Sequence, residues 1–434
     1  MINLRTSLAV SAIALTALFY QGPAAAQAAP AKESVQSTEA RKLIDGQWDP
    51  FNKKRLEELL ATYGKTSPKY DPRNPPYIVT DWDNTAIFLD VAEATYAYQL
   101  ENLIFAMTPE QLDKAIRMNI SDKPFSEDYN SKDGKQVNID LVAPDIVESY
   151  TWLYENYKGL KGDKSLDEVK KNPHYMNFIA KMRYLYDAIG DTFDHATSYP
   201  WVTYQNTGMT ERQVRDMTYD ATKWQLTQPV EAVTWTSPDA LPGKAGVVTV
   251  SWKNGLRLVP EMQDLYKAFL DSGIDVWVCS ASFVDIVKEI SSNPEFGYNL
   301  PAERVLAMEL ARDAKGVIQT EFAKDRDQTQ GKGKTLTIER FLVSRYGYGP
   351  LFIAGDSEGD QNMMVDFDDT KIALIINRMR SPDTIIGKLS KTAVDTYGKD
   401  DAKYLLQGRD DNKGVYVKSQ LHYKLGSKEG KALK

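Results

Sequence analysis

Two carboxylates set two residues apart, Asp81 and Asp83, follow the β-branched pair Ile78-Val79 at the point where a strand should end. Carboxylates at the mouth of a sheet are costly to bury unless a cation or a donor faces them. The carboxyl ends of parallel strands are also where open α/β sheets take their ligands. A divalent cation and a phosphate would supply the missing partners. Read alone, Asp-x-Asp serves equally well as a loop with two solvated side chains, so the rest of the chain has to decide.

Two further strand ends carry polar residues of the right kinds. Ser280-Ala281-Ser282 directly follows the apolar run 274–279. A hydroxyl followed by small residues lets backbone N–H groups approach an anion, and a helix starting near Phe283 would add its positive end. An ordinary helix cap has the same text. Gly355-Asp356-Ser357-Glu358-Gly359-Asp360 follows the run 351–354. Asp356 and Asp360 would then join Asp81 and Asp83 at one edge, an oxygen-rich set suited to Mg2+. A phosphate there needs a further cation. Lys334, at the start of a helix between the second and third of these strand ends, is the candidate, with Lys332 as its rival.

The elements that must hold these residues alternate. Asp49-Pro50 reads as the cap of a helix that carries Leu56, Leu59, Leu60 and Tyr63 and closes at Gly64. After the first motif the pattern changes: 91–235 is helical in period, rich in tyrosine and tryptophan, and without a strong strand. Strands return at 246–251, 274–279, 351–354 and 372–376, with helices at 256–272, 284–290 and 334–346. That alternation predicts a doubly wound parallel sheet of the α/β class, and the long helical stretch predicts an inserted cap domain. The boundaries follow: 1–28 a signal peptide, 29–90 and 246–434 the two parts of the core, and 91–245 the cap. Residues 29–47 read as a polar, mobile lead-in. The tail beyond Ser390 is weakly patterned and reads as some helix packed on the core.

Arg5, the apolar run 8–20, and the small residues of Ala24-Ala25-Ala26 and Ala26-Gln27-Ala28 make a secretory signal pattern. The mature chain is therefore expected in the periplasm or outside the cell, with no membrane span. A net charge of -7 with no basic block argues against nucleic acid as a partner. The single cysteine, Cys279, excludes an internal disulfide and a paired-thiolate zinc site, and reads as a packing residue. Three histidines do not furnish a His-rich metal site.

Taken in order, Asp-x-Asp-x-Thr at 81–85, Ser280, Lys334 and Gly-Asp-x-x-x-Asp at 355–360 resemble the haloacid dehalogenase superfamily. The second Asp of the first motif resembles its phosphatase branch. Within that branch the layout is similar to the phosphoserine phosphatases and, more closely, to the exported bacterial phosphorylcholine phosphatases. The latter share the Asp-x-Asp-Asn-Thr start and the Ser-Ala after the second strand. The resemblance implies a Rossmann-like core and an aspartyl-phosphate mechanism. Asp81 would be the nucleophile, and Asp83 the acid and then the base. Mg2+ would be held by Asp81, the main-chain carbonyl of Asp83 and Asp356, with Asp360 in support. Ser280, the Ala281 N–H and Lys334 would hold the phosphoryl oxygens. Ala281 and Ser282 stand where phosphoserine phosphatases usually carry two glycines, and Gly359 where they usually carry Asn. Both departures weigh against phosphoserine itself and leave the chemistry untouched.

The function so implied is an exported Mg2+-dependent phosphomonoesterase acting on a small phosphorylated metabolite, phosphorylcholine or a phosphoserine-like ester. A carboxylate beside tyrosine and tryptophan faces suits a quaternary ammonium group. Glu93, Trp152 and Trp201 are the cap candidates, set against the plainer reading that such aromatics are the cap's own core. Phosphotransfer to an acceptor other than water is one alternative. A non-catalytic exported binding protein for a phosphorylated ligand is the other.

Overall fold

Neighbouring side chains along the main strands enter different apolar layers, as strands buried on both faces require. Ile78 packs in one cluster while Tyr77 and Val79 pack in the other. Phe352 and Ala354 oppose Ile353 in the same way, and Leu374 opposes Ala373 and Ile375. These are the two faces of one sheet, covered on both sides. The computed structural model describes residues 41–433. The signal peptide expected at 1–28 lies outside the described residues.

The sheet has six strands: β1 (Tyr77–Thr80), β2 (Asp275–Phe283), β3 (Val305–Met308), β4 (Phe352–Gly355), β5 (Ile372–Ile376) and β6 (Tyr404–Gln407). Their order is β6-β5-β4-β1-β2-β3, and every pairing is parallel. The α/β parallel architecture expected from the alternation is the one observed. Asp49 caps the helix Pro50–Tyr63 by accepting the N–H groups of Phe51 and Asn52, with Pro50 in the first turn.

Between β1 and β2 the chain runs through helices that include Val91–Asn102, Ile139–Asn156, Pro173–Thr192 and Glu211–Gln225. Here two details differ from the sequence reading. Residues Glu231–Thr236 form a strand, where only helix was expected. The strand placed at 246–251 is shifted to Thr249–Asn254, and it pairs antiparallel with Glu231–Thr236 rather than joining the main sheet. Its strictly alternating burial is that of a one-sided hairpin, which a short apolar run does not distinguish from a core strand. Among the described residues no helix is long and apolar enough to cross a membrane.

Both ends of the described chain are more structured than their composition suggests. Leu43 and Trp48 are buried, Arg41 pairs with Asp264, and the Ile44 N–H bonds Asp264 at 2.8 Å, so 41–48 is docked rather than a mobile lead-in. The tail supplies the helix Ile385–Asp395, the edge strand β6, and a small sheet of Arg409–Asp410, Val415–Tyr416 and His422–Tyr423. Its strands are two to four residues long, too short to register as a pattern.

Candidate active site

Strand order reverses between β1 and β4, because β1 continues to β2 on one side and meets β4 on the other. Such a switch point opens a crevice outside the carboxyl ends of the two strands. Asp81 follows β1 directly, and its N–H donates to the Ala354 carbonyl of β4 at 2.8 Å. Asp356 follows β4 directly. The Thr85 hydroxyl lies 3.1 Å from Asp81 Oδ2 and 3.2 Å from Asp356 Oδ1. It has one proton, so it satisfies one of these acceptors at a time.

Asp360 is brought in by the turn after β4. Its Oδ2 accepts the N–H groups of Asp356 and Ser357 at 2.9 and 3.0 Å. Gly355 permits this approach, since a Cβ there would meet the Asp360 side chain at 2.5 Å. Lys334, fully buried, donates to Asp81 Oδ1 at 2.5 Å and to Asp360 Oδ1 at 2.7 Å. Lys332 instead reaches Asp366 from an exposed position. Of the two rival lysines, Lys334 is the one among the carboxylates.

Carboxylate oxygens of Asp81, Asp356 and Asp360 lie within 4.8 Å of one another, and all three residues are buried. A hard divalent cation takes an all-oxygen donor set of this kind. Burial, then the charge of Asp360, holds the Asp81 carboxyl well above the usual carboxylate range, against the pull of Lys334. Burial works the same way on Asp356, but Arg378 at 2.6 Å and Arg380 at 3.5 Å outweigh it and hold that carboxyl below its ordinary value. Burial opposes the Lys334 charge too, and Asp360 and Asp81 overcome it, so the ammonium persists.

The Asp83 carboxylate stands outside this trio. Its Oδ1 accepts the Val91 N–H at 2.7 Å, and its Oδ2 accepts the Ser282 hydroxyl at 2.7 Å and the Ser280 hydroxyl at 3.3 Å. Burial, then the carboxylates of Asp90 and Asp81, raise it well above the ordinary range. The protonated form is thereby favoured, the form a proton donor needs.

The serine motif is built differently from the sequence reading. β2 runs on to Phe283, and its pairing with β3 is interrupted between Cys279 and Phe283. Ser280, Ala281 and Ser282 occupy that irregularity, not a clean strand end. Ala281 and Ser282 line the cavity. Ser280 is fully buried behind them, off the cavity lining; it accepts the Ser282 N–H at 3.0 Å, and its hydroxyl lies 3.3 Å from Asp83 Oδ2. Cys279, directly before it, is a buried packing residue whose thiol burial pushes up to about 12.

A cavity of about 520 Å³ opens over Asp81, Asp83, Lys334, Asp356 and Asp360. Its remaining wall comes largely from the inserted helices and the hairpin: Glu93, Tyr129, Arg183, Tyr186, Asp187, Tyr199 and Trp252. Glu93 accepts from Arg183 at 2.9 Å, and Asp187 lies 3.0 Å from the same guanidinium. Arg183 is sandwiched between Tyr186 and Trp252, 4.9 and 4.8 Å from their ring centroids. Burial pushes Asp90 up to about 6 and Asp187 to about 7.

Glu93 thus lies on the cavity wall, whereas Trp152 and Trp201 do not. Trp152 stacks on His174 at 5.5 Å under the Lys164 ammonium. Trp201 is fully buried and donates its indole N–H to the Ile116 carbonyl at 2.9 Å. Both pack the helical layer itself. Of the cavity residues that sequence reasoning passed over, Arg378 and Arg380 were within its reach. They follow β5, and the strand-end logic that found Asp81 and Asp356 applies equally there. Arg183, Tyr186, Asp187 and Trp252 carried no such mark, since a helix and a hairpin bring them in from elsewhere.

No protein-family model and no curated protein matches the chain. A crystal structure of a conserved protein of unknown function from Anaerococcus prevotii DSM 20548 superposes with a TM-score of 0.82. The two are 33% identical, with 88% of this chain and 98% of that one covered. This chain belongs to the family of that protein. A phosphoserine phosphohydrolase-like protein from Francisella tularensis subsp. tularensis SCHU S4 is a remote likeness: 10% identity, TM-score 0.32, 72% of this chain and 92% of that one. A protein of unknown function from Bordetella pertussis Tohama I is similarly distant, at 10% identity and TM-score 0.38 over 76% and 97%.

Proposed function

We propose that the chain is an exported phosphomonoesterase of the haloacid dehalogenase type. One observation carries the reading. At the switch point of a parallel sheet, a buried lysine joins Asp81 to Asp360 while one threonine hydroxyl joins Asp81 to Asp356. That arrangement brings a buried cation and a metal-binding set to the carboxyl group that must attack; Lys334 and a bound divalent cation would together hold Asp81 ionised against the burial that raises it.

In the reaction proposed, Asp81 attacks phosphorus and the bond from phosphorus to the ester oxygen breaks. Asp83 gives its proton to the departing alkoxide, which leaves as the alcohol. The phosphoryl group is then an acyl phosphate on Asp81. Water attacks phosphorus, its proton passes to Asp83, and inorganic phosphate leaves with both carboxyl groups restored. Lys334 and the wall at Ala281 and Ser282 hold the phosphoryl oxygens, while Ser280 holds Asp83 and Ser282 in place. The donor set of Asp81, Asp356 and Asp360 fits Mg2+, which when bound would offset the repulsion between an anionic nucleophile and an anionic ester; the Asp83 carbonyl is the further ligand that the family resemblance implies.

For the rest of the substrate the wall favours an ammonium group. Glu93 and Asp187 share the one Arg183 guanidinium, and with Asp191 they line the cavity beside Tyr129 and Tyr199, so this part of the wall keeps an excess of carboxylate. The faces of Tyr186 and Trp252 are already taken by Arg183. The test is a phosphate-release screen of small monoesters with Mg2+, beside an EDTA control. Turnover that EDTA abolishes is expected, with kcat/KM for phosphorylcholine above that for glycerol phosphate. Glu93→Gln is expected to shrink that preference about fivefold, the scale of one partly solvated charge contact. No turnover of any ester would favour the binding-protein alternative. Equal kcat/KM for the two esters would strike out the ammonium group alone.

A further inference from the structure

The small sheet in the tail has no part in the chemistry just described, yet it grips the loop that supplies it. Tyr416, buried and packed on Trp48 with ring centroids 5.6 Å apart, donates its hydroxyl to the Thr85 carbonyl at 2.7 Å. Arg409, also buried, lays its guanidinium over the Phe88 ring at 4.2 Å. Its Nη1 lies 3.2 Å from Asn84 Oδ1 and 3.4 Å from the Asn84 carbonyl. Its Nε donates to Asp411 at 2.7 Å, and Asp411 receives the Lys253 ammonium from the cavity wall at 3.2 Å. The same tail reaches the loop after β5, where Asn377 donates to the Gln420 carbonyl at 2.6 Å, one residue before Arg378.

The gripped loop has reason to need support. Asn84, directly after Asp83, holds φ at 58°, a left-handed conformation that Asn tolerates better than most residues but still at a cost. Such a residue persists where its surroundings over-determine it. The next residue, Thr85, places the hydroxyl that stands between the Asp81 and Asp356 carboxylates. A drift of the Thr85 backbone therefore moves a group in contact with both. The tail holds that backbone from behind, at the carbonyls of Asn84 and Thr85, without touching either carboxylate.

We propose that the C-terminal sheet is a positioning element for the loop carrying Asp81 and Asp83, with Tyr416 and Arg409 as its positioning residues. The consequence for turnover rests on the phosphatase reading above; the effect on the loop does not. Misplacing a reacting group by about 1 Å costs roughly a hundredfold in rate. Losing one hydrogen bond behind the loop is expected to cost less, about tenfold.

The experiment uses the full chain and reads two quantities: hydrogen exchange of the segment 82–89, and the separate values of kcat and KM. Tyr416→Phe keeps the ring on Trp48 and removes only the hydroxyl. Exchange in 82–89 is expected to quicken about tenfold, through local opening, and kcat to fall about tenfold with KM within about twofold. Arg409→Lys keeps a charge but loses the planar fork, and should give the same pattern. Val415→Ala, at an exposed position on the Tyr416 strand, should alter neither quantity. Unchanged exchange in both Tyr416→Phe and Arg409→Lys overturns the proposal. So does an equal rise in Val415→Ala, because the loop would then follow tail stability in general. Faster exchange with unchanged kcat in an active enzyme overturns it as well. A wild-type chain that hydrolyses no ester defeats the phosphatase reading instead, and the exchange data then decide the positioning by themselves.

Discussion

Asp81→Asn is expected to lower kcat for any phosphomonoester substrate by at least about a thousandfold, the scale seen when one member of a catalytic unit is removed. The substitution preserves size and the Thr85 contact while abolishing the attacking charge. It also removes one oxygen anion from the three carboxylates that lie within 4.8 Å of one another. The fold should survive. Burial already disfavours the Asp81 charge, as its raised carboxyl shows, and Lys334 keeps Asp360 at 2.7 Å. The melting temperature is therefore expected to stay within about 2 °C of wild type, a change on the order of 1 kcal/mol or less for a folded unit of this size. The direct check is a structure with beryllium fluoride, whose beryllium should sit within bonding distance of an Asp81 carboxylate oxygen. An analogue bonded to any other side chain removes Asp81 from the role.

The second large effect belongs to Asp83, and it depends on the leaving group. An alkyl alkoxide is a poor leaving group and needs a proton; p-nitrophenolate leaves without one. With Asp83→Asn, kcat for an alkyl phosphate is expected to fall about a hundred- to ten-thousandfold. The first, phosphoryl-accepting step with p-nitrophenyl phosphate should fall much less, and a pre-steady-state burst of p-nitrophenol reads it directly. The geometry underlies the difference. Asp83 is held by the Val91 N–H and the Ser282 hydroxyl, apart from the carboxylate trio, and its neighbours keep it above the usual range. The amide introduced by the substitution can keep the Ser282 contact, so folding should be little disturbed. Equal losses for the two esters in the first step would deny Asp83 the acid role.

How far the sequence could be read depended on the range of the interaction involved. Helix caps and strand ends are local. Asp49-Pro50 was legible because the cap bonds run two and three residues on. The β1, β2, β4 and β5 runs were legible because each is a short apolar stretch rich in β-branched or aromatic residues and buried on both faces. The hairpin at 231–254 was misassigned because burial on one face of a short strand needs a partner to define it. The irregularity at Ser280 was hidden for a related reason. Nothing local separates a strand end from a strand whose pairing is interrupted and then resumes at Phe283. Trp152 and Trp201 failed as cavity residues because an aromatic on a helix records that it is buried, not against what.

Short-range patterns were enough for the parallel α/β core and the set of acidic strand ends, since strand identity and strand termination are local properties of the chain. The sequence also limited the basic partner to two lysines. The remaining assignments depended on distant residues meeting in the fold. Choosing Lys334 over Lys332 required a helix start and the ends of two strands to converge, in contacts of 2.5 Å to Asp81 and 2.7 Å to Asp360. Placing Glu93 on the cavity wall and Trp201 off it required the inserted helices to pack. Bringing Arg409 and Tyr416 behind the Asp83 loop joined residues more than 300 positions apart. Contacts of that separation are paid for in loop-closure entropy and leave no periodicity in the chain.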